Sequence, residues 1–163
     1  MTTRILANVF LCYEDKILLL KRGLHKKMAP GYWAGVGGHV ELEDIENPHA
    51  LDLSKTCYRE LAEEIGIKKA DIQNLSLKYI SVRKTEIEMR YTYHYFGETK
   101  IGFSLPHCDE GELHWLDKDR IFALPMTISV KAPLKHWLEN PEDQALYLVA
   151  INKENTSATI LEM

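Results

Sequence analysis

The sequence predicts an α/β or α+β fold with helices packed on a mixed β-sheet. Three observations carry that expectation. Short segments rich in β-forming residues recur along the whole chain. Two segments show helical spacing, one of them with start and stop signals. The 163 residues, 45% hydrophobic and 27% charged, suit a single domain spanning 1–163. A globule of this size buries roughly 70% of its unfolded surface and needs no disulfide staples.

The elements follow in order. Arg4 to Tyr13 reads as a strand, Glu14-Asp15-Lys16 as a hairpin turn, and Ile17 to Lys21 as the returning strand. Gly23 to Gly31 is a basic loop carrying His25, Lys26 and Lys27. Gly35, Gly37 and Gly38 punctuate a short strand centred on Val36. Asn47-Pro48 is a helix-start signal, with Asn at the N-cap and Pro at the first helical position. That helix is expected to run to Ile65, with Gly66 as its stop. Leu75 to Arg83 and Ile87 to Phe96 read as strands. The acidic loop Asp109-Glu110-Gly111-Glu112 precedes a short strand, Leu113 to Leu116. Ser129 to Leu138 reads as a second helix, with Ile128, Ala132, Lys135 and His136 near its inner edge. Leu146 to Ile151 and Ala158 to Leu161 read as a C-terminal β-hairpin within an extension, 144–163, placed to add to a sheet edge or meet a second copy.

Charge and cysteines narrow the function classes. There are 24 acids and 20 bases, a net charge of −4, which argues against a polymeric nucleic-acid coat or a polybasic membrane binder. The longest apolar run, Ala145 to Ile151, is too short to cross a membrane, and no signal-peptide pattern opens the chain. Cys12, Cys57 and Cys108 are scattered, which reads as free thiols in a reducing, cytoplasmic setting. The acidity is local. Residues 41–64 hold eight acids and two bases, whereas the other 139 residues hold 16 acids and 18 bases.

The informative segment is Arg59-Glu60-Leu61-Ala62-Glu63-Glu64-Ile65-Gly66-Ile67. Glu60, Glu63 and Glu64 stand at i, i+3 and i+4 and share one helix face. Leu61, Ile65, Tyr58 and Ser54 form an adjacent arc expected to pack on the sheet. The acids therefore lie along the edge of a buried stripe. Like charges at this spacing are unfavourable alone, and Mg²⁺ is bound by carboxylate and phosphate oxygens together. With Mg²⁺ between them, an acid cluster and a polyphosphate become compatible.

This segment resembles the Nudix hydrolase family, whose box reads G-x5-E-x7-R-E-U-x-E-E-x-G-U, with U a bulky apolar residue. Arg59 through Ile67 matches the second half at every specified position, and Gly37-Gly38-His39-Val40-Glu41 looks like its opening. The resemblance spans residues 4 to 138 and implies an α/β/α sandwich around a mixed sheet. One departure stands out. The stretch from Gly38 to Arg59 is seven residues longer than the family's, with the insertion somewhere within Glu43 to Leu51. The family's first Glu pairs with the box Arg. Asp44, Glu43 and Glu46 are all candidates for that support of Arg59.

The resemblance also implies roles. Glu60, Glu63, Glu64, Glu110 and the Gly38 carbonyl would hold Mg²⁺, or Mn²⁺ in its place, with Glu112 second to Glu110. Glu60 or Glu110 would be the catalytic base, and Arg22 would bind phosphate. Lys21, Lys26 and Lys27 read as solvated. Trp33, Ala34, Leu124 and Met126 are weaker candidates for substrate contact. His39, by the glycine turn, reads equally as a phosphate contact or a polar loop residue, and the other six histidines show no zinc-type spacing. The implied reaction is metal-assisted hydrolysis of a phosphoanhydride in a nucleoside diphosphate-linked small molecule. Gly31 to Gly38 and Glu110 to Trp115 resemble bacterial MutT-like members that act on nucleoside triphosphates, including 8-oxo-dGTP. Ala34 stands where related triphosphatases carry a base-contacting Asn. An ADP-ribose or nucleotide-sugar pyrophosphatase and a catalytically idle nucleotide-binding domain are the alternatives. A homodimer is compatible with the sequence.

Overall fold

The computed structural model describes residues 1–47, 52–100, 102 and 104–163. Its centre is a mixed sheet of nine strands: β1 (Thr2–Tyr13), β2 (Lys16–Arg22), β3 (Trp33–Ala34), β4 (Val36–His39), β5 (Ile72–Lys84), β6 (Glu88–Thr99), β7 (Gly111–Asp117), β8 (Tyr147–Ile151) and β9 (Ala158–Glu162). The main path runs β3-β2-β1-β6-β5-β8-β9, with β4 added to β1 and β7 to β2. β1 pairs with β6 in parallel, Asn8 opposite His94 and Phe10 opposite Phe96. β5 and β8 are also parallel, and the other pairs are antiparallel.

Strand alternation divides the apolar residues between two faces. Ala7, Val9 and Leu11 of β1 join Leu18 and Leu20 of β2 beneath α1 (Ser54–Ile65). Phe10, Cys12, Ile17 and Leu19 face the other way, beneath α2 (Ile128–Glu139). One helix on each face makes the expected sandwich. From α1, Cys57, Leu61 and Ile65 insert into the first layer, and Leu134 of α2 is fully buried in the second. Lys135 is exposed rather than near the inner edge. Helix α2 turns Leu134 and the neighbouring Pro133 inward instead.

The start of α1 corrects the sequence reading. The helix begins at Ser54, not at Asn47-Pro48; Pro48 lies outside the described residues. Asp52 Oδ1 accepts a hydrogen bond from the Ser54 amide, and Leu53, 1% exposed, is the N-cap residue packed into the core. The stop is as expected, Gly66 adopting the left-handed conformation at φ 70°. The hairpin turn bends at Glu14, φ 53°. Gly111 and Glu112 belong to β7 rather than to the acidic loop, because Glu112 pairs with Lys21 of β2. The C-terminal hairpin forms and lays β8 against β5, extending the sheet.

Candidate active site

Strand β4 and helix α1 meet at the box. A Cβ built on Gly38 would sit 2.2 Å from Glu60 Oε1, so the backbone of β4 lies directly against that carboxylate. Only glycine permits this approach. Arg59 braces the corner. Its Nη2 donates to Asp44 Oδ2 at 2.9 Å and to the His39 carbonyl at 3.0 Å. Its Nη1 donates to Glu60 Oε1 at 2.9 Å and Glu63 Oε2 at 3.3 Å.

Asp44 is 3% exposed and also accepts from Thr56 Oγ1 at 2.9 Å and the Glu41 amide at 3.2 Å. The Arg59 guanidinium, with Thr56 and the Glu41 amide, holds the Asp44 carboxyl down at about 2. Asp44 is thus the acid that meets Arg59. Glu46 and the Glu43 carbonyl engage Lys55 instead, at 3.4 and 2.8 Å. Six residues on from Gly38 is Asp44, so the extra residues lie beyond it, in a stretch that includes 48–51, outside the described residues.

Glu60 and Glu64 point inward along α1, whereas Glu63 is exposed at the rim. Burial raises both inner acids, and Arg59 restrains Glu60. Glu64 is pushed up to about 8 by burial, then by the charges of Glu60 and Glu110. Its Oε2 is buried and accepts no hydrogen bond among the described residues. Glu110 arrives from the turn before β7 and pairs with Lys26 of the basic loop, so Lys26 is half-buried and partnered rather than freely solvated. The Glu110 carbonyl accepts from the Gly23 amide at 2.9 Å, which ties the two loops together. Glu112 turns to His114, 3.4 Å away.

Among the described residues, no three acid, His or Cys groups form a ready-made metal cage. The donor set still suits a hard cation. Mg²⁺ keeps several waters and uses one or two carboxylates plus substrate phosphates. A buried carboxylate oxygen with no donor, crowded by two other acids, is what such a cation satisfies.

These acids line one end of a cleft of about 750 Å³. Arg22 lines it too, its Nε donating to the Met28 carbonyl at 2.9 Å. Trp33 and Ala34 lie on the wall, the Trp33 amide donating to the Pro125 carbonyl. Leu124 and Met126 do not line the cleft. They pack in the apolar layer under α2, because the chain alternates there and turns Thr127 to the cleft instead. One stretch of the remaining wall is polar, Asn8, Ser81, Thr92, His94 and Ser129, with Leu6, Val130 and Ile151 also on the lining.

The NUDIX domain profile matches residues 2–138. The chain belongs to the Nudix family. This Nudix chain is similar in fold to the MutT protein of Bacillus halodurans, with 23% identity, a TM-score of 0.73, and coverage of 96% of this chain and 97% of that one. It is also similar to a NUDIX hydrolase from Nitrosomonas europaea, at 18% identity and a TM-score of 0.71, covering 94% and 81% of the two chains. A MutT protein from Methanosarcina mazei Go1 follows at 17% identity and 0.67, covering 87% and 97%. A search of curated proteins returned no match. The Nudix hydrolase fold implies pyrophosphatase chemistry on nucleoside diphosphate-linked small molecules, a class that generally uses divalent metals.

The polar wall is what sequence reading of this Nudix hydrolase missed. A signal existed: Asn8 interrupts the apolar run of β1, and His94 sits among the aromatics of β6. What joins them is the parallel pairing of two strands far apart in the chain.

Proposed function

We propose that this Nudix hydrolase cleaves a nucleoside triphosphate, ordinary or oxidised, to the monophosphate and pyrophosphate with Mg²⁺. The buried, donorless Glu64 Oε2 between Glu60 and Glu110 carries the reading. Glu60, Glu63, Glu64, Glu110 and the Gly38 carbonyl would hold the metal. A divalent cation bound there neutralises the diphosphate and lowers the pKa of the attacking water. Arg22 binds phosphate oxygens at the cleft mouth. Glu60 or Glu110 takes the water's proton. Arg59, held by Asp44, fixes the Glu60 carboxylate for this role. No covalent nucleophile is required, since positioning and charge neutralisation carry phosphoryl transfer. The buried free thiols Cys12, Cys57 and Cys108 support a reducing, cytoplasmic setting.

The test is the double variant Glu63→Gln, Glu64→Gln. Mg²⁺-dependent hydrolysis is expected to fall by at least a hundredfold; survival within a few-fold rejects the metal assignment. A nucleotide panel assayed for products decides the substrate. Pyrophosphate from a triphosphate supports the proposal, and two monophosphates from ADP-ribose overturn it.

A further inference from the structure

The floor of the cleft holds a histidine that the hydrolytic centre does not use. His94 is fully buried, opposite Asn8 in the parallel β1–β6 pair. Its Nε2 lies 2.8 Å from Ser81 Oγ, and its Nδ1 lies 3.2 Å from Asn8 Nδ2. Ser81 Oγ in turn lies 3.4 Å from the carbonyl of Ser129, in the first turn of α2.

The proton positions follow from the last group in this row. A backbone carbonyl only accepts, and a hydroxyl has one proton to give. Ser81 donates that proton to Ser129 and therefore accepts from His94 Nε2–H. The ring is then the neutral Nε2–H tautomer, and its bare Nδ1 accepts from the Asn8 amide nitrogen. Burial with no counter-charge against the ring keeps it neutral, its pKa lowered to about 3.

Asn8 is thereby oriented. Its NH₂ group faces His94, and its Oδ1 accepts no hydrogen bond among the described residues while the residue lines the cleft. Gly35 leaves room for the amide, since a Cβ there would sit 2.6 Å from Oδ1. The opposite tautomer would turn the amide around and offer the cleft a donor. The Ser129 carbonyl selects against it.

We propose that Asn8 is a specificity-determining acceptor, held by the Ser129–Ser81–His94 row with Oδ1 toward the ligand, so that the cleft selects a nucleobase edge presenting an N–H. This rests on reading the cleft as a nucleotide site. Its test therefore reads binding and tautomer state rather than hydrolysis.

In protein labelled with ¹⁵N-histidine, His94 is expected to show a proton on Nε2, none on Nδ1, and no titration between about pH 5 and 8. An Nδ1–H tautomer overturns the proposal. Affinities are then measured for three non-hydrolysable triphosphate analogues: guanosine, 8-oxoguanosine, which gains an N7–H, and 1-methylguanosine, which loses the N1–H. Wild type is expected to tighten for the gained donor, weaken for the lost one, or both, by roughly tenfold, the weight of one hydrogen bond. Asn8→Leu is expected to erase those differences, with folding checked by thermal melting. Ser81→Ala, which leaves Asn8 in place, is expected to mix the His94 tautomers and shrink the discrimination. Differences within twofold in wild type, or differences that persist in Asn8→Leu, overturn the proposal. A Ser81→Ala protein with unchanged tautomer and unchanged discrimination overturns the row. Intact discrimination without hydrolysis of the natural triphosphates rejects the proposed reaction and leaves this inference standing.

Discussion

Gly38 and Glu60 share one small volume, and the consequences of crowding it are specific. A methyl group on Gly38 would collide with the carboxylate end of Glu60, at 2.2 Å from Oε1 and 2.6 Å from Cδ. That end belongs to a flexible side chain, so the fold can absorb the insult while the carboxylate cannot stay. Gly38→Ala is expected to cut Mg²⁺-dependent hydrolysis more than tenfold with a melting shift of only a few degrees. Parallel assays of activity and melting check it, and an active Gly38→Ala enzyme refutes the close packing. Asp44 fails differently. It is nearly fully buried and bonded to Arg59, Thr56 and the Glu41 amide. Asp44→Ala takes from Arg59 its most buried partner while Glu60, Glu63 and the His39 carbonyl remain, so roughly 2 kcal/mol of stability should be lost along with activity. Urea unfolding of Asp44→Ala beside Asp44→Asn separates lost charge from lost hydrogen bonds.

At the scale of elements, local periodicity was the readable part. The core face of α1, the Gly66 stop, the first hairpin and the last one all follow from spacing and turn chemistry within a few residues. The start of α1 did not, because Asn47-Pro48 is a strong local signal and Leu53 is a core residue by tertiary packing alone. The acid helix was legible because its chemistry repeats along one face. The polar wall was not, because Asn8, Ser81 and His94 come from three strands whose neighbours are set by sheet order. The hairpin β8–β9 shows how an element outside the matched 2–138 segment still serves it. Val149 and Ile151 are buried in the layer under α2, and β8 covers the edge of β5. Ending the chain at Glu142 would uncover that edge and remove two buried aliphatics. The truncated protein is expected to aggregate, or to melt at least ten degrees lower, as light scattering and calorimetry would show.

Across the whole molecule, charge and polarity are segregated about one cleft. The acids of residues 41–64 supply one end, and the rest of the chain, slightly basic, supplies Arg22, Arg83 and Arg90 along the walls. Between them lies a neutral floor, and keeping it neutral ties stability to pH. The folded-state pKa of His94 is lowered to about 3, below its unfolded value near 6.5. The unfolded chain therefore binds the extra proton over that interval, and the stabilisation present above about pH 6.5 is lost as pH falls toward 3. The ring faces Asn8, Ser81 and Phe10, none of which carries a charge to offset the effect. Asp44, lowered to about 2 from 3.8, adds a second loss confined below about pH 4. Glu64, raised to about 8 from 4.5, works the other way, its stabilisation being lost as pH rises through that interval, so wild-type stability from urea unfolding is expected to stay nearly level between about pH 6.5 and 4.5 and to fall below that. In His94→Gln the Glu64 slope is unopposed, so stability should rise as pH falls from about 6.5 to 4.5, while the Asp44 loss below about pH 4 remains. Subtracting the two profiles isolates the histidine from every carboxylate, with a slope near 1.4 kcal/mol per pH unit at most. Superimposable profiles would mean that His94 takes up its proton in the folded protein, and with it that the floor of the cleft is open to charge.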